Sequence, residues 1–81
     1  MTKEAILEKI KISFVKVLEH SKFELKEETT AHDVDGWESV THMMIITDIE
    51  NSFNIKFKLM DLMNMNNVGN LIECIQKELS N

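Results

Sequence analysis

The sequence predicts an all-α fold of four helices, three longer and one short, with a long loop between the first and the second. Apolar residues recur at three- and four-residue intervals in three separate stretches, which is the spacing of one face of a helix. Only the stretch from Ile55 to Lys58 alternates apolar and charged residues as a strand does, and the sequence offers no second strand to pair with it. The segment from Ser21 to Glu38 has neither period and collects turn and cap residues. These observations favour a helical bundle over a fold that contains a sheet.

The first helix is predicted from Lys3 to Glu19, and the loop that follows it is unusually long. The apolar face of this helix is formed by Ile6, Leu7, Ile10, Phe14, Val17 and Leu18. Loops longer than about 12 to 15 residues are uncommon in compact domains and are often functional. Because the chain has no Pro to stiffen the loop, we expect apolar side chains to fold back onto the core and hold it, namely Phe23, Leu25, Val34 and Trp37.

The other three helices are predicted after residue 38. The second runs from Ser39 to about Phe53, and we expect its core face to be Val40, Met43, Ile46, Ile49 and Phe53, with Ile45 at the edge and Thr41, His42, Asp48 and Asn51 turned away. The stretch KLMDLMNM predicts one or two helical turns. Asn66 and Asn67 offer capping oxygens for a last helix. That helix is expected to bury Val68, Leu71, Ile72, Ile75 and Leu79.

Size and composition limit the possible functions. A chain of 81 residues is expected to form a single domain, residues 1–81, with little room for a deep active site. Fourteen acidic residues against nine Lys give a net charge of −5, which argues against nucleic-acid binding and favours a basic protein partner. No stretch resembles a signal peptide or reaches the roughly 20 apolar residues of a membrane span. The sequence therefore indicates a cytoplasmic protein without membrane insertion, and we expect a monomer.

Ser39 is the candidate site residue, within the stretch DVDGWESVTHMM. It lies at or beside the start of the second helix, where unpaired N–H groups and the helix dipole favour an attached or bound anion. Its position alone favours a simple helix cap, worth about 1 kcal/mol. A nucleophile paired with His42 is disfavoured, because Ser39 is not flanked by Gly on both sides and no oxyanion loop is present. We assign no catalytic residue and expect His42 to be solvated.

No metal site is predicted. Asp33, Asp35 and Gly36 form D-x-D-G, but placing Gly36 at the sixth position of a calcium loop puts Ala31 first and His42 twelfth, where carboxylates are needed. The His residues lack the spacing of metal ligands. The single Cys74, on the last helix, is expected to be a partly buried, unreactive thiol that forms no internal disulfide.

The segment TTAHDVDGWESVTHMMIITDIENSFNIKF resembles the acyl carrier protein family, in which a Ser that follows an acidic residue carries a phosphopantetheine arm. The family signature is Asp-Ser-Leu, often within G-W-D-S-L-T-H, and residues 36–42 here read G-W-E-S-V-T-H. The likeness continues through the first amphipathic helix, the long loop, and the stretches IENSFNIKF and NVGNLI. It implies an acyl-carrier-like four-helix bundle that delivers a bound group and catalyses nothing itself.

The resemblance also implies a cofactor and partners. A phosphopantetheinyl transferase would attach 4′-phosphopantetheine, donated by coenzyme A, to Ser39, and the thiol of this arm would hold an acyl group as a thioester. Further implied partners are an acyl- or aminoacyl-activating ligase and an acyltransferase or ketosynthase of a fatty acid, polyketide or special lipid pathway. Glu38 and Val40 flank the attachment site, and Val40 is expected to anchor the helix in the core. The residues expected to meet partners are Trp37, Thr41, Met44, Asp48 and Glu50.

Two departures from the family pattern shape these expectations. Glu38 stands where the family usually has Asp, and Val40 where it usually has Leu. The second helix is acidic in many members, whereas here the corresponding residues include Thr41, Met44, Thr47 and Asn51, with Asp48 and Glu50 retained. We therefore predict partner recognition that is less electrostatic and more apolar, with Met44 in the contact. Two alternatives stay open: an aminoacyl or peptidyl carrier, and an unmodified acidic docking module.

Overall fold

A computed structural model describes residues 1–80 and places four α-helices in this part of the chain. They are α1 (Lys3–Leu18), α2 (Ser39–Phe53), α3 (Leu59–Met63) and α4 (Val68–Leu79). A single turn of 3₁₀-helix, Ala31–Asp33, interrupts the loop between α1 and α2. Residues 1–80 contain no strand, and the segment 55–58 is an extended connection. The prediction of an all-α fold with three longer helices and one short helix is confirmed.

The ends of the helices follow local capping chemistry. Thr2 caps α1, because its Oγ1 accepts a hydrogen bond of 3.1 Å from the Ala5 backbone N–H. Asn67 caps α4 in the same way, with its Oδ1 2.8 Å from the Asn70 backbone N. At the other ends, Glu19 closes α1 and Asn54 closes α2 in the left-handed conformation, with φ of 61° and 57°. The predicted cap at Asn67 is confirmed.

One apolar core joins the longer helices and the loop. Of the loop side chains expected to hold it, Leu25, Val34 and Trp37 are buried and Phe23 is partly buried, as predicted. The core residues are Ile6, Ile10, Phe14, Leu25, Val34, Trp37, Ile45, Ile46, Ile49, Phe53, Phe57, Val68, Leu71, Ile72 and Ile75. Leu79 is an exception among the residues predicted to be buried, because it ends α4 and is exposed.

The predicted core face of α2 was wrong at its N-terminal end. Val40 is 74% exposed and Met43 is also exposed, whereas Ile45 is fully buried. Successive residues of an α-helix are rotated by about 100°, so the six steps from Val40 to Ile46 place Val40 about 120° away from the core side. His42 lies four residues before Ile46 and therefore faces the core. Val40 consequently does not anchor α2, a role that falls to the buried isoleucines.

The loop is held against the start of α4 by backbone hydrogen bonds. The N–H of Val68 donates to the carbonyl of Thr29 over 2.9 Å, and the N–H of Gly69 donates to the carbonyl of Glu27 over 2.8 Å. These bonds satisfy N–H groups that the first turn of a helix leaves unpaired. A Cβ at residue 69 would lie 3.0 Å from the Glu27 carbonyl oxygen, so a side chain there would press on the loop and push it back by a few tenths of an ångström.

Asp48 joins α2 to α1, although the sequence predicted that it faces away from the core. The buried Ser13 hydroxyl donates to Asp48 Oδ2 over 2.6 Å, and Lys16 Nζ lies 2.9 Å from Oδ1. The hydrogen bond from Ser13, followed by that from Lys16, holds the pKa of Asp48 below its usual value. The two carboxylate oxygens of Asp48 therefore serve the contact between the helices.

Candidate functional site

The turn that precedes α2 is packed into the core through Trp37. This side chain is 7% exposed, and its ring meets the ring of Phe14 edge-on with centroids 4.8 Å apart. The Trp37 N–H donates to the carbonyl of Val34 over 3.2 Å. Gly36, with φ of +87°, supplies the left-handed backbone that brings the chain from the loop to the helix. The position of residue 38 is thus fixed by the core.

The hydroxyl of Thr41 ties the first turn of α2 to this loop. It accepts a hydrogen bond from the Glu38 N–H over 2.7 Å and donates one to the Gly36 carbonyl over 2.6 Å. The second bond reaches back over five residues, so it joins the helix to the turn before it. Thr41 therefore fixes the direction in which α2 begins.

His42 is a second link between the turn and the helix. The indole Nε1–H of Trp37 donates to His42 Nδ1 over 3.0 Å, which requires a neutral imidazole with its proton on Nε2. Burial lowers the pKa of His42. The expectation that His42 is a solvated residue was only partly right, because the ring is half-buried against the turn while it also lines a surface hollow.

Ser39 is left free by this arrangement. It is the first residue of α2, it is exposed, and the residue in the capping position is Glu38. Thr2 and Asn67 use their side-chain oxygens to cap α1 and α4, but within residues 1–80 the Ser39 hydroxyl has no hydrogen-bond partner. The interpretation of Ser39 as a helix cap was therefore wrong. Its hydroxyl points to solvent at the positive end of a helix whose direction is fixed.

Ser39 lies on the border between two shallow hollows of different character. The first, of about 630 Å³, is apolar and is lined by Ser39, Val40, Met43, Met44 and Thr47. The second, of about 500 Å³, is more polar and is lined by Ala31, Trp37, Glu38, Ser39, His42, Met65 and Asn66. A group attached to the Ser39 oxygen would have both an apolar and a polar surface beside it.

The residues predicted at the site have three different placements. Glu38, Val40 and Met44 are exposed around Ser39, while Trp37 and Thr41 lie beneath it and hold the turn. Asp48 and Glu50 lie elsewhere: Asp48 bonds to α1, and Glu50 Oε2 accepts from the Phe57 N–H over 2.9 Å. Sequence reasoning missed His42, Met43 and Thr47 as parts of the site, although the 100° rotation per residue could have placed them.

Outside this site, the metal-ligating and nucleophilic side chains that the structure describes lie apart from one another. Residues 1–80 contain no cluster of three His, Cys, Asp or Glu side chains that could hold a metal ion. Burial raises the pKa of the partly buried Cys74 thiol, which disfavours the thiolate. Within the same residues no helix is long and apolar enough to span a membrane.

No model of a known protein family matches the chain, and no curated protein matches it. A solved structure does: the solution NMR structure of holo acyl carrier protein from Geobacter metallireducens has a TM-score of 0.85 to this chain at 35% sequence identity. The alignment covers 93% of this chain and 86% of that one. The fold and this likeness define a small helical carrier protein. The chain belongs to the acyl carrier protein family.

Proposed function

We propose that Ser39 carries a 4′-phosphopantetheine arm and that the protein delivers acyl groups bound to it. The observation that supports this most strongly is the free hydroxyl of Ser39. It is exposed at the start of α2 on a turn that three hydrogen bonds hold in place, those of Thr41 and that between Trp37 and His42. In a member of the acyl carrier protein family, a hydroxyl with this placement is suited to attachment of the arm.

The residues around Ser39 fit such a group. A phosphate ester at the first residue of α2 would lie next to the N–H groups of the first turn and at the positive end of the helix dipole, both of which stabilise negative charge. The apolar hollow beside Ser39 could receive the uncharged part of an arm. When bound, the arm supplies a thiol that holds a carboxylic acid as a thioester.

Each nearby residue has a role in this scheme that follows from its contacts. The Ser39 oxygen would form the phosphoester bond and lose its proton, while the pyrophosphate bond of coenzyme A breaks and adenosine 3′,5′-bisphosphate leaves. Trp37 and Thr41 fix the start of α2 through the core and the Gly36 carbonyl, so that the arm has a rigid base. Glu38 and Val40 are exposed on either side and form the surface that a transferase meets.

The proposed partners act before and after loading. A phosphopantetheinyl transferase attaches the arm, a ligase that activates an acyl or amino acid loads it, and an acyltransferase or ketosynthase takes up the product for a lipid or polyketide pathway. The same thiol accepts an acyl or an aminoacyl group, so the mass of the loaded protein decides between these cargoes.

The experiment that tests the proposal is intact-mass analysis after incubation with coenzyme A, Mg²⁺ and a broad-specificity phosphopantetheinyl transferase. We expect the wild-type protein to gain one phosphopantetheine and the Ser39→Ala variant to gain none. Ser52→Ala is the matched control, because Ser52 is also an exposed serine of α2, and it should be modified like the wild type. If several transferases leave the wild type unmodified, the carrier function is refuted and the docking-module alternative takes its place. Glu38→Asp combined with Val40→Leu then shows whether the altered signature was responsible.

A further inference from the structure

A row of five packed rings connects the residues after α1 to the start of α2, with a histidine at each end. The rings, in order of contact, are His20, Phe23, Phe14, Trp37 and His42, and the centroids of neighbouring rings are 5.4, 5.9, 4.8 and 5.9 Å apart. Contacts of this kind between aromatic rings favour particular relative orientations. The row ends at residues 35–37, which lead into Glu38 and Ser39 and which we call the entry turn. Both histidines bond to this turn.

His20 holds the entry turn from the side of α1. Its Nε2–H donates to the Asp35 carbonyl over 2.8 Å, and its Nδ1 accepts from the Lys22 backbone N–H over 3.1 Å. A carbonyl can only accept and a backbone N–H can only donate, so the two bonds together require a neutral ring with its proton on Nε2. A second proton, on Nδ1, would face the Lys22 N–H, and the ring could not keep both bonds.

His42 holds the entry turn from the side of α2 and requires the same state of charge. Its Nδ1 accepts from the Trp37 indole N–H over 3.0 Å, so a proton on Nδ1 would place two donors against each other. The third histidine, His32, is exposed in the loop, and within residues 1–80 its ring forms no hydrogen bond. Two of the three histidines therefore bond to the entry turn, and both do so as neutral rings.

The charged groups beside the two bonded rings come from the neighbouring chain and the entry turn. They are Glu19 and Lys22, close to His20 in the chain, Asp35 on the entry turn, and Glu38 in the hollow beside His42. The loop and the connection between α3 and α4 add uncharged residues to that hollow, namely Ala31, Met65 and Asn66. Carboxylates favour a charged imidazole, but burial prevails at His42 and lowers its pKa. The His42 ring is therefore neutral at pH 7 and becomes charged only in acid.

We propose that His20 and His42 are positioning residues for the attachment of the arm to Ser39, and that they hold the entry turn only while both rings are neutral. This inference rests on the proposed function, since the reaction that it concerns is the modification of Ser39. The Ser39 oxygen must lie in line with the phosphorus of coenzyme A, and a misplacement of about 1 Å can cost about 100-fold in rate. Release of Asp35 and Trp37 would free the segment that sets this position. Neither histidine touches the reacting atoms.

The test measures kcat/KM for modification of Ser39 by a phosphopantetheinyl transferase between pH 5 and pH 8. The wild type is compared with the double variant His20→Gln, His42→Asn. Gln offers a donor for the Asp35 carbonyl, Asn offers an acceptor for the Trp37 indole, and neither side chain titrates. His32→Gln is the matched control, because it removes an exposed imidazole that lies outside the row of rings. The ratio of wild type to variant at each pH cancels the effect of pH on the transferase and on coenzyme A.

We expect the ratio of the wild type to the double variant to be lower at pH 5 than at pH 8 by about threefold or more, because histidines change charge between about pH 5 and 8. The ratio of the wild type to His32→Gln should not change with pH. A ratio to the double variant that is constant over this range would overturn the inference. Failure to modify the wild type at any pH refutes the proposed function itself, so the two failures are distinct.

NMR titration of the unmodified wild-type protein tests the same inference without an enzyme or a variant. The Ser39 amide and the Trp37 indole N–H resonances should shift with the midpoints of the His20 and His42 rings, while the helical circular dichroism signal stays unchanged. A Ser39 amide that follows neither ring would overturn the inference. Loss of the helical signal at the same midpoints would also overturn it, because the whole fold and not the entry turn would then respond to acid.

Discussion

Ser39 and Thr41 divide two roles that one residue often combines at the start of a helix. Thr41 makes the hydrogen bonds that join α2 to the turn, and Ser39 keeps its hydroxyl free. The acidic Glu38 and the apolar Val40 on either side of Ser39 could be located from the sequence. The division of roles between Ser39 and Thr41 could not. It depends on the left-handed backbone at Gly36, which lets a side chain three residues inside the helix reach back to the turn.

His42 should make the stability of the protein depend on pH. Burial lowers its pKa below the ordinary value of 6.5, so between the two values the unfolded chain binds the proton more readily than the folded chain. The neutral ring therefore contributes stability that is complete above about pH 6.5 and is lost as the pH falls through the folded pKa. Protonation also removes the acceptor for the Trp37 indole.

NMR titration of the His42 ring measures this directly. We expect a midpoint below that of the same residue in urea-unfolded protein, with a change in Trp37 fluorescence at the same pH. In the His42→Gln variant the fluorescence change should be absent. A His42 midpoint at or above the unfolded value contradicts the assignment of a neutral, partly buried ring.

At the scale of the elements, the sequence predicted the existence and approximate bounds of all four helices from periodicity and cap residues. It was less accurate about which side of α2 faces the core. Met43 and Ile46 share a three-residue interval, but the buried stripe passes through Ile45, Ile46 and Ile49. Periodicity constrains the spacing of a helix face, whereas the phase depends on how α1 packs against it through contacts such as Ser13 to Asp48.

The bond between Ser13 and Asp48 leads to a prediction for this helix pair. Ser13→Ala should lower the free energy of unfolding at pH 7 by about 1 to 3 kcal/mol, because it removes a buried hydrogen bond to a charged group. Lys16→Ala should cost less, about 0 to 1 kcal/mol, because the Lys16 side chain is mostly exposed. Urea unfolding measures both values. A larger loss for Lys16→Ala than for Ser13→Ala would contradict the prediction.

The bonds of Asp48 to Ser13 and Lys16 should also make the stability of the protein depend on pH in the acid range. The pKa of Asp48 is held below its ordinary value of 3.8, so its contribution is present above pH 3.8 and is lost as the pH falls through the folded pKa. In Asp48→Asn this acid-dependent part should be absent. Urea unfolding at several pH values below 5 tests it, and an unchanged acid dependence in this variant would refute the assignment to Asp48.

At the scale of the whole molecule, long-range contacts make the loop part of the scaffold. Trp37 packs on Phe14 of α1, and the backbone at Glu27 and Thr29 bonds to the start of α4. The sequence indicated that apolar loop residues fold inward, and they do. It contained no signal for the docking of the loop on α4, because backbone hydrogen bonds between distant residues depend on the packed arrangement and not on local residue types.

The sign of the change in the free energy of unfolding in Gly69→Ala tests whether the loop docks on α4. In an ordinary helix interior, Ala is more favourable than Gly by about 1 kcal/mol. Here the added methyl group would lie 3.0 Å from the Glu27 carbonyl oxygen, so we expect a net destabilisation of about 1 to 3 kcal/mol in urea unfolding. Ser52→Ala, at an exposed position of α2, should be nearly neutral and serves as the control. A stabilising Gly69→Ala would mean that the loop does not press on α4.

The position of the phosphopantetheine on the chain tests the role of Ser39 most directly. Trypsin cleaves after Lys26 and Lys56, so residues 27–56 form one peptide that contains Ser39, Ser52 and four threonines. After modification with coenzyme A and the transferase, fragmentation of this peptide should place the added group on Ser39 alone. Attachment at Ser52, at a threonine or outside this peptide would contradict the assignment of Ser39 as the carrier residue.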